Sequence, residues 1–266
     1  MSARPSRSAG DLEAYHAFAH ELADLVDPVS LPAFERASFD VERKADGTAV
    51  TEIDRGVERT LRAAIHDRFP DHAVLGEEDG LDGPDDAPRW VLDPIDGTTN
   101  FVKGNPIWAT LIALQIDGDE VVGLASAPAL GSRWSGFLGG GAYQDGREIR
   151  VSGVERLADA EVSLGGLSHF HRDGLDGLVA DLAAHTARQR GYGDFWQHCL
   201  VAAGSTDVAI EAEVSLWDLA AVRGIVEAAG GRFTSLDGAP GAGHGSAVAT
   251  NGSLHDEVLG LIAAHR

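Results

Sequence analysis

The chain has 266 residues, enough for one large domain or two closely packed ones with a substantial core. Against 42 acids it carries only 21 lysines and arginines, a net charge of −21. Such a surface repels nucleic-acid backbones and anionic lipid and makes both poor partners. No stretch reaches the roughly 20 apolar residues of a membrane span, and the opening MSARPSRSAG is basic without a following apolar run, so a cytoplasmic location is expected. The single cysteine, Cys199, permits no intramolecular disulfide and no CxxC metal site, and beside the apolar residues 200–203 it reads as a small core residue.

Helical spacing of Leu12, Tyr15, Ala19, Leu22 and Val26 predicts a helix over 11–26, and Val57, Leu61, Ala64 and Ile65 predict a second over 54–68. Short apolar runs at 73–75 and 90–92 read as strands, the second delivering Asp93, where Pro94 is expected to stop the ladder. Runs at 107–116 and 121–125 flank Asp117-Gly118-Asp119, a hairpin signal, and 133–138 with 142–143 extend the meander. The polar stretch 152–159 is the expected boundary between a first half, 1–153, of helices plus a mostly antiparallel sheet, and an α/β second half, 154–266. There, strands are predicted at 162–164, 207–211, 232–235 and 247–250. Helices are predicted at 174–187, 195–204, 217–229 (stopped by Gly230-Gly231) and 253–264.

Acids gather in three separated strings: Gly76-Glu77-Glu78-Asp79, DPIDGTTNF at 93–101, and Ser215-Leu216-Trp217-Asp218. Asp93 and Asp96 can converge on one point, and the amides of Gly97 and Thr98 can face an anion. Hard oxygen ligands of this kind suit Mg²⁺ rather than zinc. Taken singly, each string has a plainer reading: Asp-Pro and Asp-Gly are turn dipeptides, Asp218 fits a helix N-cap, and Glu77-Glu78 fits a solvated turn. The three in this order favour a metal site. The histidines are scattered, and His198, His244 and His255 read as core or surface polar groups. There is no GxSxG, Walker or HExxH motif.

These strings, with Ala220-Ala221 after Asp218, resemble the inositol monophosphatase family from about residue 12 to 262. Lys44, Asp46, the VTEID string at 50–54 and the AAGG string at 228–231 add lesser matches. The resemblance implies a magnesium-dependent phosphomonoesterase with a layered α/β/α/β/α sandwich of the sugar phosphatase kind, commonly a homodimer. It implies that Glu77, Asp93 and the Ile95 carbonyl hold one Mg²⁺, that Asp93, Asp96 and Asp218 hold a second, and that a third, weaker ion involves Glu77. Phosphate would rest at Asp96, Gly97 and Thr98, and Thr98, linked to Asp54, would orient the attacking water beside Glu77.

Within the family, the strings SAPAL at 126–130, Arg133-Trp134, YGDF at 192–195 and HGSAVATNGSLHDEVL at 244–259 resemble the bacterial histidinol-phosphate phosphatases. That substrate carries an ammonium and an imidazole, which acids in the second half would favour. Asp194, Glu211 and Asp218 are the candidates to face it. Asp194 equally fits an N-cap for 195–204, and the two roles can coexist. Trp196, Gln197 and His198 fit either an imidazole contact or helix packing, Trp108 and Trp134 read as core, and capping is the simpler reading of Asn251. The alternatives are an inositol-1-phosphate or broad sugar-alcohol phosphatase and, from another class, a catalytically silent metal-binding regulatory member.

Overall fold

The structure is a computed structural model that describes residues 7–37, 39–43 and 49–266. Lys44 and Asp46 of the resemblance lie outside the described residues. The first half opens with α1 (Ala9–Arg36), a short ladder of β1 (Val41–Arg43) and β2 (Ala49–Thr51), and α2 (Glu52–Arg68). An eight-stranded sheet follows, from β3 (Ala73–Gly76), β4 (Gly80–Asp82) and β5 (Arg89–Asp96), across α3 (Thr98–Lys103). It continues through β6 (Ala109–Ile116), β7 (Asp119–Ala127), β8 (Ser132–Phe137), β9 (Gly141–Gln144) and β10 (Arg147–Ile149). Its order is β10-β9-β8-β7-β6-β5-β3-β4, antiparallel except where β3 pairs parallel with β5. The Asp117-Gly118 turn closes the β6–β7 hairpin with both residues at positive φ, 53° and 85°, as a tight hairpin turn requires.

The second half contains β11 (Glu161–Leu164), α4 (Leu167–Arg172), α5 (Asp176–His185), β12 (Arg188–Arg190), α6 (Asp194–Ala202), β13 (Val208–Glu211) and α7 (Leu216–Ala228). It ends with β14 (Arg232–Thr234), β15 (Ala247–Thr250) and α8 (His255–Ala263). Its five-stranded sheet runs β12-β11-β13-β15-β14. Three apolar clusters separate five layers. Helices α1 and α2 pack on one face of the large sheet through Leu22, Leu61, Trp90 and Ile112. Helices α6 and α7 fill the space between the two sheets with Cys199, Ala220, Ile225, Leu111 and Ala249. Helices α4, α5 and α8 cover the far face of the small sheet through Phe170, Leu182 and Val258. The expected α/β/α/β/α sandwich is thus the observed one, and strand β6 serves two layers, since Leu111 and Ala113 face one cluster while Ile112 and Leu114 face another.

Two expectations are corrected. Helix α1 does not end at residue 26 but continues through Pro28 and Pro32 to Arg36. A proline inside a helix costs about 3 kcal/mol by local propensity. The added turns place Phe34 against Phe101 and Trp108, with ring centroids 5.6 and 5.5 Å apart, and tie Asp27 to Arg133 and Ser126, which offsets that cost. Nor does Pro94 stop the ladder. Strand β5 runs on to Asp96, its register against β6 shifting from Asp93↔Leu111 to Asp96↔Ala109. Three steps on one strand oppose two on the other, the signature of a β-bulge, where a proline is tolerated.

Candidate active site

The bulge is the first cause of the site. In a regular strand, residues three apart point to opposite faces. The extra residue in β5 resets that alternation and lets Asp93 and Asp96 face the same way. With Asp218 from the first turn of α7, they bring one carboxylate oxygen each to within 4.8 Å of one another. Asp218 is not the N-cap of α7: that position is Ser215, whose backbone N–H donates to Asp218 Oδ2 at 2.8 Å in a capping box. Capping by one oxygen leaves the other for the cluster.

Burial pushes the Asp93 carboxyl well above the usual carboxylate range, and the charges of Glu77, Asp96 and Asp218 push it further. Burial and then Asp194 and Asp218 do the same for Asp96. Asp218 is raised to about 6, chiefly by burial, and shares a hydrogen bond with Asp93. Among the described residues no lysine or arginine forms an ion pair with any of the three. Buried acids gathered in this way need a cation or a proton. The donor set gathered here is all carboxylate oxygen, without thiolate or imidazole, and so fits a hard divalent cation.

Glu77 lies outside that closest trio but within electrostatic reach of Asp93, Asp96 and Asp218. Its backbone N–H donates to Leu92 O at 3.2 Å, joining its turn to β5. The turn is held from below by Glu58, which the sequence reading missed. This buried carboxylate of α2 accepts the backbone N–H groups of Glu78 and Asp79 at 2.8 and 3.0 Å while paired with Arg62. A Cβ at Gly76 would stand 2.2 Å from Glu58 Oε1 and displace that carboxylate from its partners. The available signal was the i,i+4 pair of Glu58 and Arg62 on the buried face of a helix.

Thr98 Oγ1 stands 3.2 Å from Asp54 Oδ1 and 3.0 Å from the Ile95 carbonyl. Asp54 is itself fixed, since it closes the capping box of α2 by accepting the Thr51 backbone N–H at 2.9 Å. Burial raises its pKa. Gly97 adopts φ +77°, and a Cβ there would meet Ile107 O at 2.9 Å.

On the other side, Asp194 opens α6 at φ +47°, a left-handed conformation that aspartate tolerates better than most residues. The N-cap is Gly193, so the capping reading of Asp194 does not hold. Instead Asn100 Nδ2 donates to Asp194 Oδ2 at 2.7 Å, and the Phe195 backbone N–H donates to Asp96 Oδ2 at 2.8 Å. Both bonds join the α6 N-terminus to the DPIDGT segment, and Asn100 is a second residue the sequence reading passed over. Glu211 is buried at the end of β13, raised to about 8 by burial and by the nearby Asp194 and Asp218 charges.

Other side chains fall where the plainer readings put them. Trp108 and Trp134 are core, Cys199 is buried, and His255 is buried between Thr234 and Thr250. Asn251 caps Leu254 and ties down the crossover segment through Ser152 and Val154. A cavity of about 610 Å³ lined by His16, His20, Arg133, Phe137 and Tyr143 contains none of the acids above, so cavity volume does not locate the site; the buried carboxylates do.

A strand-borne acid pair and a third acid on a helix start, set in a five-layer sandwich, are the arrangement of a metal-dependent phosphatase. The inositol monophosphatase family profile matches residues 11–266, and the chain belongs to that family. A Thermotoga maritima inositol monophosphatase superposes with a TM-score of 0.84 at 31% identity, over 93% of this chain and 96% of its own. One from Anabaena gives 0.84 at 28% identity, over 96% and 98%. Among curated relatives, a histidinol-phosphatase of Streptomyces coelicolor is 46% identical over 92% of this chain and 95% of its own length. One of Mycobacterium tuberculosis is 47% identical over 90% and 94%.

Proposed function

We propose that the protein is a magnesium-dependent phosphomonoesterase that hydrolyses L-histidinol phosphate to L-histidinol and phosphate, a step of histidine biosynthesis. The observation that carries the chemistry is the Asp93–Asp96–Asp218 cluster, two buried acids and one half-buried. The choice of ester rests on the two histidinol-phosphatases that are 46 and 47% identical over nearly the whole chain. Glu77, Asp93, the Ile95 carbonyl, Asp96 and Asp218 would hold two to three Mg²⁺, which supply charge neutralisation for the phosphate dianion and its leaving oxygen.

The chain's own groups do the rest. The Gly97 and Thr98 amides, beside Asp96, donate to the phosphate oxygens. Thr98 Oγ1, ordered by Asp54, orients the attacking water, and Glu77 takes its proton. The water oxygen bonds to phosphorus and keeps its second hydrogen, the ester P–O bond breaks, the leaving alkoxide takes a proton from a solvent water, and Glu77 returns its proton to solvent. At the far end, Asp194, Glu211 and Asp218 face the ammonium and imidazole end of the ester, a wall of acids that suits a cation. In this reading residues 1–153 carry most of the metal ligands and 154–266 supply Asp218 and the substrate side. A cytoplasmic homodimer completes it, on family likeness alone; among the described residues no helix is long and apolar enough to cross a membrane.

Chelation tests the metal part. Protein treated with EDTA should release no phosphate from L-histidinol phosphate and recover its rate when Mg²⁺ is returned. An unchanged rate after chelation would remove the mechanism.

A further inference from the structure

Glu211 is not held by chance. Its Oε1 accepts a hydrogen bond from Gln197 Nε2, a fully buried amide on α6. The other end of that amide, Oε1, accepts the Ser163 hydroxyl at 2.8 Å, and Ser163 Oγ in turn accepts the Tyr192 backbone N–H at 3.2 Å. The bond directions agree along the whole chain. The Glu211 carboxylate accepts only, so it takes the NH₂ end of Gln197, which turns the amide oxygen toward the Ser163 hydroxyl. Room for Glu211 comes from Gly165, where a Cβ would stand 1.7 Å from Glu211 Oε2. Tyr192 lies two residues before Asp194, and its hydroxyl is anchored on Glu161 at 2.8 Å. The segment carrying Asp194 and the strand carrying Glu211 are therefore set in one frame by three buried or half-buried groups.

We propose that Gln197, braced by Ser163, is a positioning residue that fixes the Glu211 carboxylate and so sets how the protein discriminates phosphate esters by the end opposite the phosphate. The inference rests on the phosphatase reading above and adds to it a residue that touches neither phosphate nor metal. A leucine at 197 keeps the packing volume but leaves Glu211 without its donor. The carboxylate then loses its fixed position, and the interaction with the substrate's ammonium weakens in ground state and transition state alike.

The test compares L-histidinol phosphate with p-nitrophenyl phosphate, which offers nothing to Glu211. For Gln197→Leu, KM for L-histidinol phosphate should rise about tenfold or more with kcat within about twofold, while p-nitrophenyl phosphate hydrolysis stays near wild type. Ser163→Ala should shift KM the same way by less, and Ser163→Thr, which keeps the hydroxyl, should restore it. Gly165→Ala reaches the same carboxylate from the other side without touching the relay and should give the same selective rise, while the Ser163 pair keeps the test of the relay decisive if Gln197→Leu fails to fold. Equal changes on both esters, or none on either, would overturn the relay. If wild-type protein prefers inositol-1-phosphate, the substrate reading falls and the same comparison is run on that ester. Wild-type silence on all three esters would overturn the phosphatase reading and the relay with it.

Discussion

Asp93 is enclosed by protein, and Glu77, Asp96 and Asp218 all raise its affinity for a proton. Removing one charge from such a group relieves repulsion even as it deletes a proposed ligand, so its structural and chemical effects should have opposite signs. Asp93→Asn and Asp218→Asn should lose at least about a thousandfold in kcat, more than the 10–100-fold usual for a ligand's supporting partners. In EDTA they should melt no lower than wild type. Phosphate release and thermal unfolding together check this, and an active variant would contradict it. A second residue-scale expectation concerns His198, buried on α6 with its pKa lowered to about 3 by desolvation. Between that value and the 6.5 of an unfolded histidine, the unfolded chain binds a proton that the folded chain does not. Its contribution is complete above pH 6.5 and is lost as pH falls through that window. The share amounts to about 2 kcal/mol between pH 7 and 5. Urea unfolding at the two pH values should show a flatter dependence in His198→Leu, and an identical dependence would mean that His198 is not buried neutral.

At the scale of elements, α7 packs on β7 backbone to backbone at a glycine. A Cβ at Gly123 would stand 2.1 Å from the Ala221 carbonyl, which is backbone and cannot swing away. Gly123→Ala should therefore cost about 1–3 kcal/mol by overpacking. A shift in urea midpoint would report it, and an unchanged midpoint would mean the helix can lift off the sheet freely. The same contact explains what sequence could and could not show. The hairpin at Asp117-Gly118, the helix of 217–229 and the strands of the central sheet were legible because turn residues and apolar period are local properties. The acids were legible by residue type and spacing. The bulge that aligns Asp93 with Asp96 was not, because Asp-Pro reads as a break unless the partner strand is known. The last turns of α1 were hidden behind Pro28 and Pro32, whose cost is visible locally while the offset, Phe34 on Trp108, is remote. Glu58 and Asn100 were missed for the same reason, and Gln197 was singled out without its partner: each bonds to a residue at least 14 positions away in the chain.

Over the whole molecule, the two halves meet across α6 and α7, the helices that deliver Asp194 and Asp218 to acids carried by the other half. A site built in this way depends on the docking of both sheets: in the proposed reading, the groups for metal and phosphate come mainly from the first half and those for the rest of the ester from the second. A net charge of −21 adds a long-range preference for a substrate whose free end is positive. The most direct test of this account is kcat/KM for L-histidinol phosphate and for inositol-1-phosphate, measured side by side with Mg²⁺. The account predicts a preference of at least about a hundredfold for the ammonium-bearing ester, the scale of one or two charged hydrogen bonds. Equal values, or a preference for the inositol ester, would contradict it.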